Sequence, residues 1–131
     1  MEGSIDRLCL PSFDADPVFG RLLDPGGGNC TVRAAGLLET HRRYLPGTPA
    51  LETTFRTATG IATLTDLFAS EPAVRKEAEL WPFRWLIRRV KAQEGRVGLD
   101  AEVRSARRDP SSWFASRAWL NAPRPGNTLE T

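Results

Sequence analysis

The stretch Leu51–Phe68 constrains the fold more than any other part of this sequence. Its first half alternates residues suited to burial with polar ones, the former being Leu51, Thr53 and Phe55. This period of two is typical of a β-strand with one wetted face, and the frequent threonines favour a pleated conformation. A second run starts at Ile61, after Gly60, where glycine allows the positive φ of a short hairpin turn. The sequence therefore predicts an antiparallel hairpin, which needs further strands and an opposing layer.

Other periodic segments predict those further strands. Ahead of the hairpin they are Ser4–Leu10, Cys30–Arg33 and a strand that begins near His41. After it, residues 83–90 place Phe83, Trp85 and Ile87 on one strongly apolar face, and Val97–Arg104 alternates most clearly of all. Glu94-Gly95 is interpreted as a turn between these two strands, so they form a second hairpin that supplies the opposing layer. The predicted fold class is mainly β, an antiparallel two-layer β-sandwich.

One or two short helices complete the prediction. Val18–Leu23 is expected to make a single helical turn, and Ser70–Glu79 a short exposed helix capped by Ser70. Aromatic residues at Trp113, Phe114 and Trp119 favour one side of a short helix near the end of the chain. We expect a β-sandwich domain over residues 1–108 and a divergent C-terminal tail over 109–131, with little to order its last residues.

Size and composition narrow the class of protein. The chain has 131 residues, enough for one domain, and its 40% hydrophobic and 26% charged residues are ordinary for a globular protein. The net charge of +2 is not a nucleic-acid-binding balance. Neither a signal peptide nor an apolar run of bilayer length is present, and two cysteines are too few for a disulfide framework. We expect a cytoplasmic protein with no membrane or nucleic-acid partner, a Cys9–Cys30 bridge being the less favoured alternative to free thiols.

No motif in the chain demands a cofactor or a metal. His41 is the single histidine and stands beside two arginines, which favours a surface position. Gly26–Gly28 lacks the residues of a phosphate-binding loop. Asp100 and Glu102 share one strand face, but that face is the polar one, so a solvated surface is favoured over a catalytic pair. The arginine clusters are interleaved with acids and predict a counter-paired surface: Arg42-Arg43, Arg88-Arg89-Lys91 and Arg104-Arg107-Arg108.

The four tryptophans leave three interpretations open: Trp81, Trp85, Trp113 and Trp119. Core burial is the common fate of such residues in a small sandwich. Exposed aromatic rings could instead form a platform for sugars. A third interpretation is that some of them cover a surface on which another domain docks.

Residues Glu2–Asp14 (EGSIDRLCLPSFD) resemble the opening of bacterial glycoside hydrolase family 15 proteins, the glucoamylase- and trehalase-like enzymes, which commonly read DGSIDWLCLPRFD here. Arg7 and Ser12 depart from that pattern. The resemblance covers most of residues 2 to about 104 and continues in order through these segments: Arg42–Thr48, Leu51–Phe55, Thr65-Asp66 and Leu86–Val90.

The resemblance implies an N-terminal β-sandwich domain that packs on a separate helical barrel and shapes the entrance to its sugar pocket. The catalytic glutamates of the family lie in that barrel, which does not fit in this chain. We therefore expect a non-catalytic domain whose contact residues are Ser4, Asp6, Phe13 and Asp14, and no hydrolysis of trehalose or maltooligosaccharides by the chain alone. The implied partners are the barrel and an α-glucan or trehalose, and an open sheet edge would allow self-association. The alternative is a stand-alone carbohydrate-binding or regulatory interaction module.

Overall fold

The computed structural model describes residues 3–10, 14–70, 84–106 and 113–123. In these ranges the regular elements are all β-strands, paired antiparallel, which confirms the mainly β prediction. The strands are β1 (Ser4–Ile5), β2 (Leu8–Cys9), β3 (Pro17–Phe19), β4 (Asn29–Ala34), β5 (Leu37–Tyr44), β6 (Leu51–Thr57), β7 (Gly60–Ser70), β8 (Arg84–Arg104) and β9 (Trp113–Asn121).

Strand β8 joins two layers because its 21 residues pair with different neighbours along their length. Its first half pairs with β7, which continues through β6 to β5, and we call this layer the hairpin sheet. Its second half lies between β4 and β9, with the short β1 on the far side of β4, and we call this layer the terminal sheet. Strands β2 and β3 form a separate two-stranded ribbon.

The core lies between the two sheets. Phe55, Ala62 and Leu64 of the hairpin sheet are fully buried, as is Val97 of the terminal sheet. The predicted hairpin of β6 and β7 is confirmed, with Leu51 opposite Asp66 and Arg56 opposite Ile61. Its turn does not use a positive φ at Gly60. Glycine is needed there because a Cβ would collide with the Glu94 carbonyl oxygen.

The predicted second hairpin at Glu94-Gly95 is wrong, because β8 runs through this point without reversing. Ile61 pairs with Glu94 and Ala62 with Ala92, so Gln93 is an extra residue in β8, a β-bulge. Gly95 follows with a φ of 59°. The opposing layer is therefore supplied by β4 and β9.

The bulge also reverses the expected faces of the first half of β8. Ile87, predicted to lie on the apolar face, is 44% exposed, whereas Leu86, Val90 and Ala92 are buried or partly buried. One extra residue exchanges the two faces of a strand. Beyond the bulge Val97 and Leu99 are buried as predicted.

The helix predictions inside the described ranges are also wrong. Val18–Leu23 is divided between β3 and a turn, and the predicted Ser4–Leu10 strand is split into β1 and β2. The aromatic segment near the end of the chain forms β9, which pairs with β8 over nine residues. The Ser70–Glu79 helix lies, except for Ser70 at the end of β7, outside the described residues. The domain division at residue 108 stays a prediction.

Candidate functional site

A buried ion pair between Arg88 and Asp66 fixes one end of the interface between the sheets. Arg88 Nε donates to Asp66 Oδ1 at 2.7 Å and Arg88 Nη2 to Asp66 Oδ2 at 3.1 Å, a bidentate contact. The two side chains are only 9% and 16% exposed. Burial by itself would lower the pKa of Arg88, but the Asp66 carboxylate and the Cys30 contact together hold that pKa above its ordinary value.

Arg88 also binds two backbone carbonyls from the opposite sheet. Its Nη1 donates to the Cys30 carbonyl oxygen and its Nη2 to that of Gly3, both at 2.8 Å. One side chain thus links β8 and β7 to β4 and to the residue before β1. The prediction that this arginine cluster forms ion pairs with acids is confirmed for Arg88. The prediction that Arg88 lies on the surface was wrong. Its spacing of two from Leu86 and Val90, both facing inward, is the sequence signal that was missed.

Two of the four predicted contact residues, Ser4 and Asp6, are held together beside this link. Arg21 Nη2 donates to Ser4 Oγ at 2.7 Å and to Asp6 Oδ1 at 2.5 Å, and Ser4 Oγ donates to the same carboxylate at 2.6 Å. The Ser4 hydrogen bond, followed by Arg21, holds the pKa of Asp6 below its ordinary value. The backbone preceding them is fixed as well, because the Gly3 carbonyl accepts from Val32 N at 2.9 Å.

The other two predicted contact residues are Asp14 and Phe13. Asp14 lies exposed in the turn before β3. Phe13 lies outside the described residues. The segment Gly3–Asp6 is therefore the part of the predicted contact region whose position the structure defines.

An apolar surface continues the inner face of the hairpin sheet beyond the Arg88–Asp66 pair. Tyr44 of β5 lies opposite Leu51 of β6, and Phe68 of β7 lies opposite Leu86 of β8. Tyr44 is 69% exposed and Phe68 is 42% exposed, while Leu51 and Leu86 are partly buried. We call these four residues the apolar shelf. Leu86 is two residues along β8 from Arg88, whose Nη2 donates to the Gly3 carbonyl oxygen.

Acidic side chains elsewhere in the two sheets form ion pairs with arginines. Asp100 accepts from Arg117 Nε at 2.6 Å, and Arg43 donates to Glu52 at 2.9 Å. The Arg117 hydrogen bond holds the pKa of Asp100 below its ordinary value. A general acid of glycoside hydrolysis needs a raised pKa, so this environment opposes that role. His41 is exposed on the outer face of β5, as predicted.

Three further observations concern the described part of the chain. It contains no group of three His, Cys, Asp or Glu side chains that could hold a metal ion. None of its elements is a helix of the length and apolarity that crossing a membrane requires. Cys9 is partly buried and Cys30 is buried, and each is a free thiol.

One tryptophan, Trp119, has a described side chain. It is 53% exposed on β9, with the guanidinium carbon of Arg96 at 4.5 Å from the ring centroid. Core burial is therefore wrong for this residue. Trp81 lies outside the described residues.

The described part of the chain is built of antiparallel β-sheets and carries an apolar shelf on which Tyr44 and Phe68 are exposed. Sequence comparison relates it to trehalases. It is 32% identical over 123 residues to a trehalase of Mycolicibacterium smegmatis and 31% identical over 124 residues to one of Mycobacterium tuberculosis. Both alignments cover 93% of this chain, which spans about 15% of the length of either enzyme. No protein family profile matches the chain, and no solved structure gives a significant match.

Proposed function

We propose that this chain is a non-catalytic domain like the N-terminal β-sandwich of family 15 glucoamylase- and trehalase-like hydrolases, and that it packs on a helical-barrel catalytic domain and shapes its sugar pocket. The observation that carries the proposal is the extent of the similarity. It takes in 93% of this chain but about 15% of each trehalase, so the chain corresponds to a segment of such an enzyme. A module that serves a larger catalytic body fits this relation.

The electrostatics support a role without catalysis. Three acids of the sheets are paired with arginines, namely Asp66 with Arg88, Asp100 with Arg117 and Glu52 with Arg43. The Arg117 hydrogen bond holds the pKa of Asp100 below its ordinary value, whereas the protonated member of a hydrolytic pair must be kept neutral near pH 7. These side chains therefore suit a structural role.

The apolar shelf is the surface proposed to contact the barrel. Exposed apolar side chains such as Tyr44 and Phe68 lower the free energy of a complex when a partner covers them. The adjoining Gly3–Asp6 segment is held rigidly, so Ser4 and Asp6 would meet the partner with little loss of conformational entropy. Asp14 and Phe13 complete the proposed contact.

A chimeric enzyme tests this docking. This chain would replace the matching segment of the M. smegmatis trehalase, and we expect the chimera to hydrolyse trehalose. Phe68→Ser should lower that activity by at least about tenfold, because a central apolar contact contributes on the order of 2 kcal/mol. Leu38→Ser removes an apolar residue that is more exposed than Phe68, 69% against 42%, from edge strand β5 and should leave the activity unchanged. Glucose release from trehalose is the measurement.

Two outcomes would contradict the docking proposal. One is a chimera that is folded by circular dichroism but inactive. The other is an equal response to Phe68→Ser and Leu38→Ser, since only the first variant alters the shelf. Measuring the melting temperature of each variant separates loss of docking from loss of folding.

A second function, binding of an α-glucan or trehalose by the chain itself, is favoured by one observation, the half-exposed ring of Trp119.

We also propose a cytoplasmic location, which the free thiols of Cys9 and Cys30 support. We further propose that the chain can self-associate through an open sheet edge. Among the described residues, the two-residue β1 covers only part of the edge of β4.

A further inference from the structure

The outer face of the terminal sheet carries a cleft of about 390 Å³. It lies across three strands, β4, the second half of β8, and β9, on the side opposite the core. Its lining residues are Thr31, Arg33, Asp100, Ala101, Glu102, Ala115, Ser116 and Arg117. The small side chain of Ala115, opposite Glu102, leaves room above the sheet, and the charged side chains around it form the rim of the cleft.

The rim is balanced in charge. Arg33 and Arg117 both lie directly opposite Asp100 in register, and Glu102 lies opposite Thr31. Two arginines and two carboxylates cancel, so the cleft attracts neither an anion nor a cation strongly. It does offer donors and acceptors side by side, since guanidinium groups only donate and carboxylates only accept. A neutral ligand whose groups both donate and accept, as hydroxyls do, matches this arrangement.

Trp119 lies on the same face, two residues along β9 from Arg117. Residues directly opposite each other on neighbouring strands share a face of the sheet. Trp119 is opposite Gly98 and Arg117 is opposite Asp100, so both side chains lie on the face that carries Asp100. The separation along the strand is about 7 Å. The indole packs over Gly98, where a side chain would contact three of its ring carbons. The guanidinium carbon of Arg96 lies over the ring at 4.5 Å from its centroid, and the residue is still 53% exposed.

We infer that this cleft and Trp119 together bind a neutral oligosaccharide. The apolar side of one sugar ring packs on the indole, and the hydroxyls of the next ring bind Asp100, Glu102 and the two arginines. The distance from the indole to the cleft requires at least two linked rings. This inference deepens the second proposed function, and the residues varied to test it, Trp119 and Glu102, are not among those proposed to contact the barrel.

Calorimetric titration of the full chain with maltoheptaose, and separately with trehalose, tests the inference. We expect maltoheptaose to bind, and Trp119→Ala to raise its Kd by about tenfold, the loss that one aromatic contact represents. Glu102→Gln removes a charge without changing the shape of the cleft and should also raise the Kd. Ile87→Ala changes an exposed apolar residue of the hairpin sheet that belongs to neither proposed surface, and as the control it should leave the Kd unchanged.

Several results would overturn the inference. They are an absence of heat with both sugars, a Kd unaffected by both Trp119→Ala and Glu102→Gln, or competition by inorganic phosphate, which would mark an anion site. Because Trp119→Ala also removes packing on Gly98, each variant is first compared with the wild type by thermal unfolding. Failure here leaves the chimera result unaffected, and failure of the chimera leaves this result unaffected.

Discussion

Replacing Arg88 by Met is expected to lower the free energy of unfolding by about 3–5 kcal/mol, the usual cost of removing one partner of a buried ion pair. Three groups each lose a hydrogen bond at once, namely the Asp66 carboxylate and the carbonyls of Gly3 and Cys30. Asp66, at 16% exposure, would be left without its ion-pair partner in a poorly solvated site. Urea denaturation measures the change.

The control for this prediction is Arg117→Met. Arg117 makes a comparable ion pair with Asp100 at 2.6 Å, but its side chain is 73% exposed. Water and salt screen such a pair, so no measurable change in stability is expected. A double variant, Asp66→Leu with Arg88→Met, should lose less than the two single variants together, because no charge is left unpaired. Equal effects of Arg88→Met and Arg117→Met would contradict the assignment of Arg88 as the link between the sheets.

Replacing Gly95 by Ala is expected to lower the free energy of unfolding by about 3 kcal/mol. Two costs combine at this position. Its φ of 59° is disfavoured for any residue with a Cβ, and that Cβ would collide with the carbonyl oxygen of Thr59. Gly95 lies where β8 leaves the hairpin sheet for the terminal sheet, so a shift there changes the packing of both layers.

Gly36→Ala is the matched control for Gly95. Gly36 has a φ of 67°, but no atom lies within 4 Å of the place that a Cβ would take. Only the conformational cost of about 1 kcal/mol is expected. Urea denaturation of both variants separates the two costs, and equal losses would contradict the close approach of Thr59 and Gly95.

The sequence was sufficient for the strands whose alternation is uninterrupted. Strand β6 and the second half of β8 each bury alternate side chains against a single partner layer, so their period of two is visible without the structure. The prediction failed where the same residue type is found in two different local structures. A glycine such as Gly95 suits a turn as well as a bulge, and the choice depends on its pairing with Gly60, which is distant in sequence. Strand β9 was missed for a similar reason, since pairing with β8 determines its conformation.

Less of the candidate site could be predicted. Ser4 and Asp6 were identified through the family resemblance, but the partner that fixes them, Arg21, is fifteen residues further along the chain from Asp6. Arg88 was assigned to the surface because arginines rarely lie buried, and its burial depends on carbonyls from β4 and the N-terminal segment. Long-range hydrogen bonds of this kind leave no local pattern in a sequence.

The central claim is that this chain carries no hydrolytic site of its own. Incubation of the purified chain with trehalose, and separately with maltoheptaose, followed by a glucose assay, tests it most directly. We predict no glucose above the level released in buffer. Steady release of glucose, lost in Glu52→Gln or Asp100→Asn variants that stay folded, would contradict the claim.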